Sequence, residues 1–366
     1  MQTAKFTTNT SPKHHAGQQK PAHVTCVDLF CGAGGLTHGL MLGGIDVTAG
    51  IDIDPACKFP YEANNHAKFI QQDITELEPV KLRELFGDAE VKVLAGCAPC
   101  QPFSLYASRY RQRANDPRRE LLHTFALLVN KTNPDIVVVE NVPDIAKRDV
   151  FRDFVNSLAK QNYRVWFGVV NSSSYGVPQF RRRVVLLASR HGDIKIIDPT
   201  HREPRTVRQS ISHLPGLSSG ESDSVDKLHA CSKLSEINLQ RIRASKPGGT
   251  WRDWPKHLVA ACHRANSGHT YPSVYGRMEW DQPAPTMTTQ CYGFGNGRFG
   301  HPEQDRAISL REAAILQSFP RDYAFVPQNG RVSFRELGRL IGNAVPVELG
   351  RAIAHSINRH LISLRN

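Results

Sequence analysis

The first sustained apolar run, Val24 to Phe30, ends in the glycine-dense turn Cys31-Gly32-Ala33-Gly34-Gly35, and Leu36 to Leu42 follows with spacing that suits a helix. This predicts a strand, a glycine loop and a helix in succession. Further short apolar runs lie at Val47 to Ile53, Val91 to Leu94, Ile136 to Val139, Val165 to Val170 and Val184 to Ala188. Several are separated by segments long enough for helices. In Glu120 to Asn130, for example, Leu121, Leu122, Phe125, Leu128 and Val129 recur at helical intervals. Strands alternating with helices predict a doubly wound α/β fold with a mostly parallel sheet covered on both faces.

Beyond about Arg190 the apolar runs thin out and Gly, Pro, Ser and His are frequent up to about Gln304, which marks residues 191–305 as a smaller module. Regular patterning returns at Ser309 to Phe319 and at Phe334 to Ile357, the latter across Gly-Asn-Ala-Val-Pro. The chain is thus expected to leave a first domain, residues 24–190, and return to it over residues 306–366. Residues 1–23 carry Lys5, Lys13 and Lys20 with no acid and no apolar signal core, and are expected to form a disordered tail.

The length of 366 residues accommodates one large core and a second module. With 46 Lys and Arg against 34 Asp and Glu, the formal charge is +12, which favours a polyanionic partner such as nucleic acid or an anionic membrane surface. No apolar run reaches the roughly 18 residues that a membrane-spanning helix needs. The eight scattered cysteines are not a disulfide framework, and a cytoplasmic location is expected.

Gly32, Gly34 and Gly35 after a buried strand allow close backbone approach to a ligand, although such turns also occur merely to reverse the chain. Asp52, Ile53 and Asp54 end the next strand, about 20 residues on, where an acid in such folds accepts ribose hydroxyls. Asp73, ending Phe69 to Asp73, belongs at the same crevice. Three strand ends converging on one site suit a nucleoside cofactor. Cys97-Ala98-Pro99-Cys100 has the spacing of a thiol redox motif, so a dithiol oxidoreductase is a local competitor. Zinc is disfavoured, because no second Cys pair accompanies it and His257, His263, His269 and His301 lack ligand spacing.

The wider segment Gly96 to Ser104 resembles the nucleophile motif of the DNA (cytosine-5-)-methyltransferase family. Other blocks resemble that family's motifs in its order: Asp28 to Leu36, Glu140-Asn141-Val142, Gln179-Phe180-Arg181-Arg182-Arg183, Ser309 to Pro320 and Gly342-Asn343-Ala344-Val345-Pro346. The resemblance runs from Val24 to the C-terminus and is weakest over about 191–300, the family's variable target-recognition region. It implies a Rossmann-like S-adenosylmethionine-dependent methyltransferase fold with a smaller target-recognition domain.

The resemblance also implies roles. Cys100 adds to cytosine C6, which turns C5 into a carbon able to take a methyl group from S-adenosylmethionine. Pro99 fixes the loop that presents the sulfur, and Cys97 has no catalytic role. Glu140 holds N3 and N4, while Arg181 and Arg183 hold O2 and orient Glu140. Phe30, Gly32, Gly34, Gly35, Leu36, Asp52, Ile53, Asp73, Ile74, Pro99, Asn343 and Val345 form the cofactor set, with Asp52 standing where many members carry Glu. Gln101, Ser104, Asn141, Gln179, Arg109, Arg111 and Thr286 form the substrate and DNA set.

Arg109, Arg111, Arg113, Arg118 and Arg119, interleaved with Tyr106 and Tyr110, occupy the position of the family's mobile DNA-closing loop. Arg202, Arg205, Arg208, Arg241, Arg243 and Lys246 in the recognition region are further candidates to meet DNA. The target base must be flipped out of the duplex to reach a thiolate. The expected partners are duplex DNA and a restriction endonuclease acting on the same site, with the enzyme a monomer and no membrane involved. One branch of the family methylates tRNA, which keeps RNA as an alternative substrate, and a catalytically silent DNA-binding relative is a third reading.

Overall fold

β-branched and other apolar residues with few polar interruptions build the strands, as expected of strands buried on both faces. A computed structural model describes residues 23–98, 121–265 and 270–365. Its sheet contains β1 (Val24–Leu29), β2 (Asp46–Asp52), β3 (Lys68–Gln71), β4 (Val91–Gly96), β5 (Ile136–Asn141), β6 (Arg164–Asn171) and β7 (Arg182–Ser189). Their order is β3-β2-β1-β4-β5-β7-β6. The first five strands run parallel, whereas β7 is antiparallel to both β5 and β6. The link from β6 to β7, residues 172–181, is too short for a helical crossover, so the chain turns back and inserts β7 between β5 and β6.

The helices are α1 (Gly35–Leu42), α2 (Lys58–Asn64), α3 (Pro79–Phe86), α4 (Leu121–Thr132), α5 (Asp149–Lys160), α6 (Val207–Ile211), α7 (Glu236–Ala244), α8 (Ala261–Arg264), α9 (Leu310–Leu316), α10 (Phe334–Asn343) and α11 (Val347–Ser363). Alternation along β1 divides the core. Val27 and Leu29 pack with Phe86, Phe125 and Phe154 on the side of α3, α4 and α5. Cys26 packs with Leu36, Leu40 and Ile353 on the side of α1 and α11. The two helices on that side touch backbone to backbone, because a Cβ on Gly39 would lie 2.2 Å from the Val347 carbonyl.

A third cluster joins α9 and α10 to residues between 207 and 299, including Val207, Met287 and Phe299. A smaller one surrounds Trp251, Trp254 and Phe294. Ile194 and Ile196, just past Arg190, still pack in the α1 and α11 layer. Pro346 separates α10 from α11 at the expected interruption, although Gly342 and Asn343 lie inside α10. Among the described residues no helix is long and apolar enough to cross a membrane.

Candidate active site

β1 ends in a loop whose backbone is left-handed at Phe30 (φ 59°), Gly32 (φ 54°) and Gly34 (φ 89°). The glycines serve different ends. A Cβ on Gly32 would meet nothing within 4 Å, whereas one on Gly34 would lie 2.7 Å from Asn65 and one on Gly35 2.3 Å from the Val345 carbonyl. Gly32 therefore borders open space. Gly34 and Gly35 let the loop and α1 pack closely against Asn65 and Val345.

The open space is a cavity of about 660 Å³ at the carboxyl ends of β1 to β3, within the range of small-ligand sites. Phe30, Gly32 and Leu36 line it from the first unit, Asp52 and Ile53 from the end of β2 and just past it, Asp73 and Ile74 from beyond β3, and Asn343 and Val345 from the returning segment. Gly32 donates its N–H to Asp52 Oδ2 at 2.9 Å, and Asp54 donates its N–H to Asp52 Oδ1 at 3.0 Å. Burial raises the Asp52 carboxyl above its ordinary range, against these two donors and the nearby Arg339 charge. Asp73 accepts from the N–H and hydroxyl of Thr75.

Sequence reasoning missed several cavity residues. Asp28, inside β1, is buried and accepts from the Thr37 hydroxyl at 2.8 Å through Oδ2, while its Oδ1 has no hydrogen-bond partner. Burial pushes this carboxyl up to about 7. An acid in an apolar strand, immediately before a glycine loop, was the available signal. Arg339 and Leu340 also line the cavity from α10. Arg339 pairs with Asp54, which in turn accepts from the Ala56 N–H. The Arg339–Asp54 pair ties α10 to the end of β2.

Glu140 is the penultimate residue of β5 and is 2% exposed. Arg183 Nε lies 3.0 Å from its Oε1, and the Cys97 thiol donates to Oε2 at 2.9 Å. Cys97 also lines the cavity, so it touches both halves of the site. Asn141 is buried, donates to the Ala98 carbonyl at 3.0 Å and accepts from the Val142 N–H at 2.8 Å. It thereby braces the end of β4 against the end of β5.

Gln179 is fully buried: it donates to the Leu316 carbonyl and to Gln317 and accepts from the Met287 N–H at 2.8 Å. Arg181, 3% exposed, donates to the carbonyls of Met287, Gly342 and Ala344. Between them the two residues tie the chain entering β7 to the segments around Met287, Leu316 and Gly342. Thr286 donates to the Phe180 carbonyl at 2.7 Å, which likewise fastens the end of the recognition region beside β7. Cys100, Pro99, Gln101, Ser104, Arg109 and Arg111, with the rest of the arginine-rich segment, lie outside the described residues, as does His269.

Of the basic candidates in the recognition region, Arg202, Arg205 and Lys246 are exposed. Arg208 is paired with Asp281 at 2.7 Å and Arg243 with Asp305 at 3.2 Å, while Arg241 is bonded to the Leu258 carbonyl. His263 stacks on Trp251, and His301 is buried near Glu312 with its ring held down to about 4 by burial.

Residues 24–359 match the model of the C-5 cytosine-specific DNA methylases. The chain belongs to this family. It is a DNA (cytosine-5-)-methyltransferase, similar over 92% of its length, at 53% identity, to the Type II methylase M.HgiDII of Herpetosiphon aurantiacus, of which 96% is covered. It is 32% identical to the Type II methyltransferase M1.HphI of Haemophilus parahaemolyticus, over 91% of this chain and 86% of that one. A prophage-encoded E. coli protein described as a DNA modification methyltransferase shares the fold, with a TM-score of 0.71 at 22% identity over 93% of this chain and 99% of that one. These matches set the dithiol oxidoreductase reading aside.

Proposed function

We propose that the enzyme transfers a methyl group from S-adenosylmethionine to cytosine C5 within a specific sequence of duplex DNA, through a covalent bond between Cys100 and C6 of a flipped-out base. The observation that carries this reading is the buried Glu140–Arg183 pair beside a nucleoside-sized cavity. The cavity residues fit the cofactor. Asp28 offers an unpartnered buried oxygen to a cationic group, Asp52 and Asp73 sit at strand ends suited to ribose and adenine, and Ile53 provides an apolar face. Bound there, S-adenosylmethionine supplies an electrophilic methyl group.

The chain's own residues supply the rest. Cys100 forms the S–C6 bond, and Glu140 holds the ring at N3 as electron density moves into it, so that C5 becomes the nucleophilic carbon. Arg183 keeps Glu140 in register, and Arg181, Gln179 and Asn141 keep the surrounding backbone in place. After transfer, loss of the C5 proton expels the thiolate and restores aromaticity. The arginine-rich segment with Arg109 and Arg111 would contact phosphates independently of sequence.

The Type II relatives point to a restriction endonuclease acting on the same site as the biological partner. A monomer acting in the cytoplasm completes the proposal. The test is transfer of labelled methyl to unmethylated duplex DNA of mixed sequence and to tRNA, with Cys100→Ser as control. Label at cytosine C5 of DNA, lost in Cys100→Ser, is expected. Label confined to tRNA overturns the substrate, and no label in either overturns the reaction.

A further inference from the structure

We propose that Cys97 is a positioning residue for Glu140, its thiol holding Oε2 while Arg183 lies beside Oε1, so that the carboxyl group is kept from turning away from the cytosine ring. The inference rests on the reading of Glu140 given above. Its geometry is set by the sheet. β4 and β5 are parallel neighbours paired at Gly96 and Val139, so the next residues, Cys97 and Glu140, fall side by side. The Cys97 N–H is bonded to the Leu29 carbonyl, and Glu140 is paired with Val185 of β7, so neither backbone is free to drift.

A carboxyl group has two equivalent oxygens, and a catalytic carboxyl is useful only if one of them faces the base. Here the oxygens are distinguished. Oε2 accepts the thiol proton at 2.9 Å, whereas Oε1 lies 3.0 Å from Arg183 Nε yet has no aligned hydrogen-bond donor. Arg183 instead directs an N–H to the Arg182 carbonyl at 2.7 Å. A glycine or alanine at position 97 would leave Oε2 without this donor and allow the carboxyl group to turn. A thiol is a weak donor and a weak acceptor, so the same side chain can face Glu140 whether or not the carboxyl carries a proton.

The test compares the full-length enzyme with Cys97→Ala and Cys97→Ser on unmethylated duplex DNA of mixed sequence. Cys97→Ala is expected to lower kcat about tenfold, the rate equivalent of one modest hydrogen bond, with KM for DNA and cofactor affinity moving by less than about threefold. Cys97→Ser, which keeps a donor, is expected to recover the rate to within about threefold. Infrared spectroscopy supplies a readout that does not need turnover. The S–H stretching band that disappears in Cys97→Ala should lie low in the wild type and move up in Glu140→Gln. A wild-type rate in Cys97→Ala, a serine variant no better than alanine, or a band unmoved by Glu140→Gln would overturn the proposal. Failure of the wild type itself to transfer methyl would instead overturn the reaction on which it rests.

Discussion

At the carboxyl ends of β1 to β3 the cavity is shaped largely by backbone. A left-handed loop opens at Gly32, Asp52 is held by two N–H groups, and the acids sit at strand ends. At the end of β5 the site is instead a side-chain device, Glu140 between Arg183 and Cys97, and on the adjoining loop Gln179 and Arg181 reach Met287, Gly342 and Ala344. The first region should tolerate single side-chain changes with partial loss of affinity. The second should fail in rate at one substitution while still binding cofactor.

The sharpest way to break that contrast is at Glu140. Glu140→Gln or Arg183→Ala is expected to lower kcat by at least about a thousandfold, because each leaves a buried charged partner alone and removes the group that holds the base. Cofactor affinity, measured by calorimetry, should stay within about threefold of wild type. A parallel collapse of cofactor binding would merge the two regions into one.

Within the loop, Gly35→Ala should cost about 1–3 kcal/mol of stability, since its Cβ would meet the Val345 carbonyl at 2.3 Å. Gly32→Ala, in open space at φ 54°, should cost only the left-handed strain of about 1 kcal/mol. Thermal unfolding of the two variants ranks them. Equal losses would mean that Gly32 is packed as tightly as Gly35.

The same comparison explains what was legible in the sequence. The glycine loop and the ends of β1, β2 and β5 are local patterns, and the motif order carried the family. Gln179 and Arg181 were legible as motif residues but not as supports, because their partners lie 106 to 163 residues away. The packing role of Gly34 and Gly35 was hidden for a similar reason: the atoms that forbid a side chain there belong to Asn65, Tyr323 and Val345. Asp28 was hidden within a strand. The antiparallel placement of β7 follows from the length of a link, which periodicity does not report.

Asp28 gives the cavity a pH dependence. With its folded carboxyl raised to about 7, burial favours the protonated form, so this residue's contribution to stability is fully present below the ordinary carboxylate range and is lost as pH rises through 7. Binding of a cationic cofactor works in the opposite direction and favours ionisation. Affinity should therefore fall about tenfold per pH unit below 7, with release of a proton on binding, and Asp28→Asn should flatten the profile. A smaller effect is expected from Arg339→Ala. The Arg339–Asp54 pair is partly exposed and contributes about 0.5–1 kcal/mol, a two- to fivefold loss of cofactor affinity with kcat unchanged at saturation.

Covalent capture tests the central claim most directly. Duplex DNA carrying 5-fluorocytosine allows thiol addition and methyl transfer but blocks the final loss of a proton from C5, so the enzyme should remain bonded to the DNA in the presence of S-adenosylmethionine. The account predicts a denaturation-stable complex that maps to Cys100 and is absent in Cys100→Ser but present in Cys97→Ser. A complex that maps to Cys97, or methylated cytosine without any covalent complex, would contradict it.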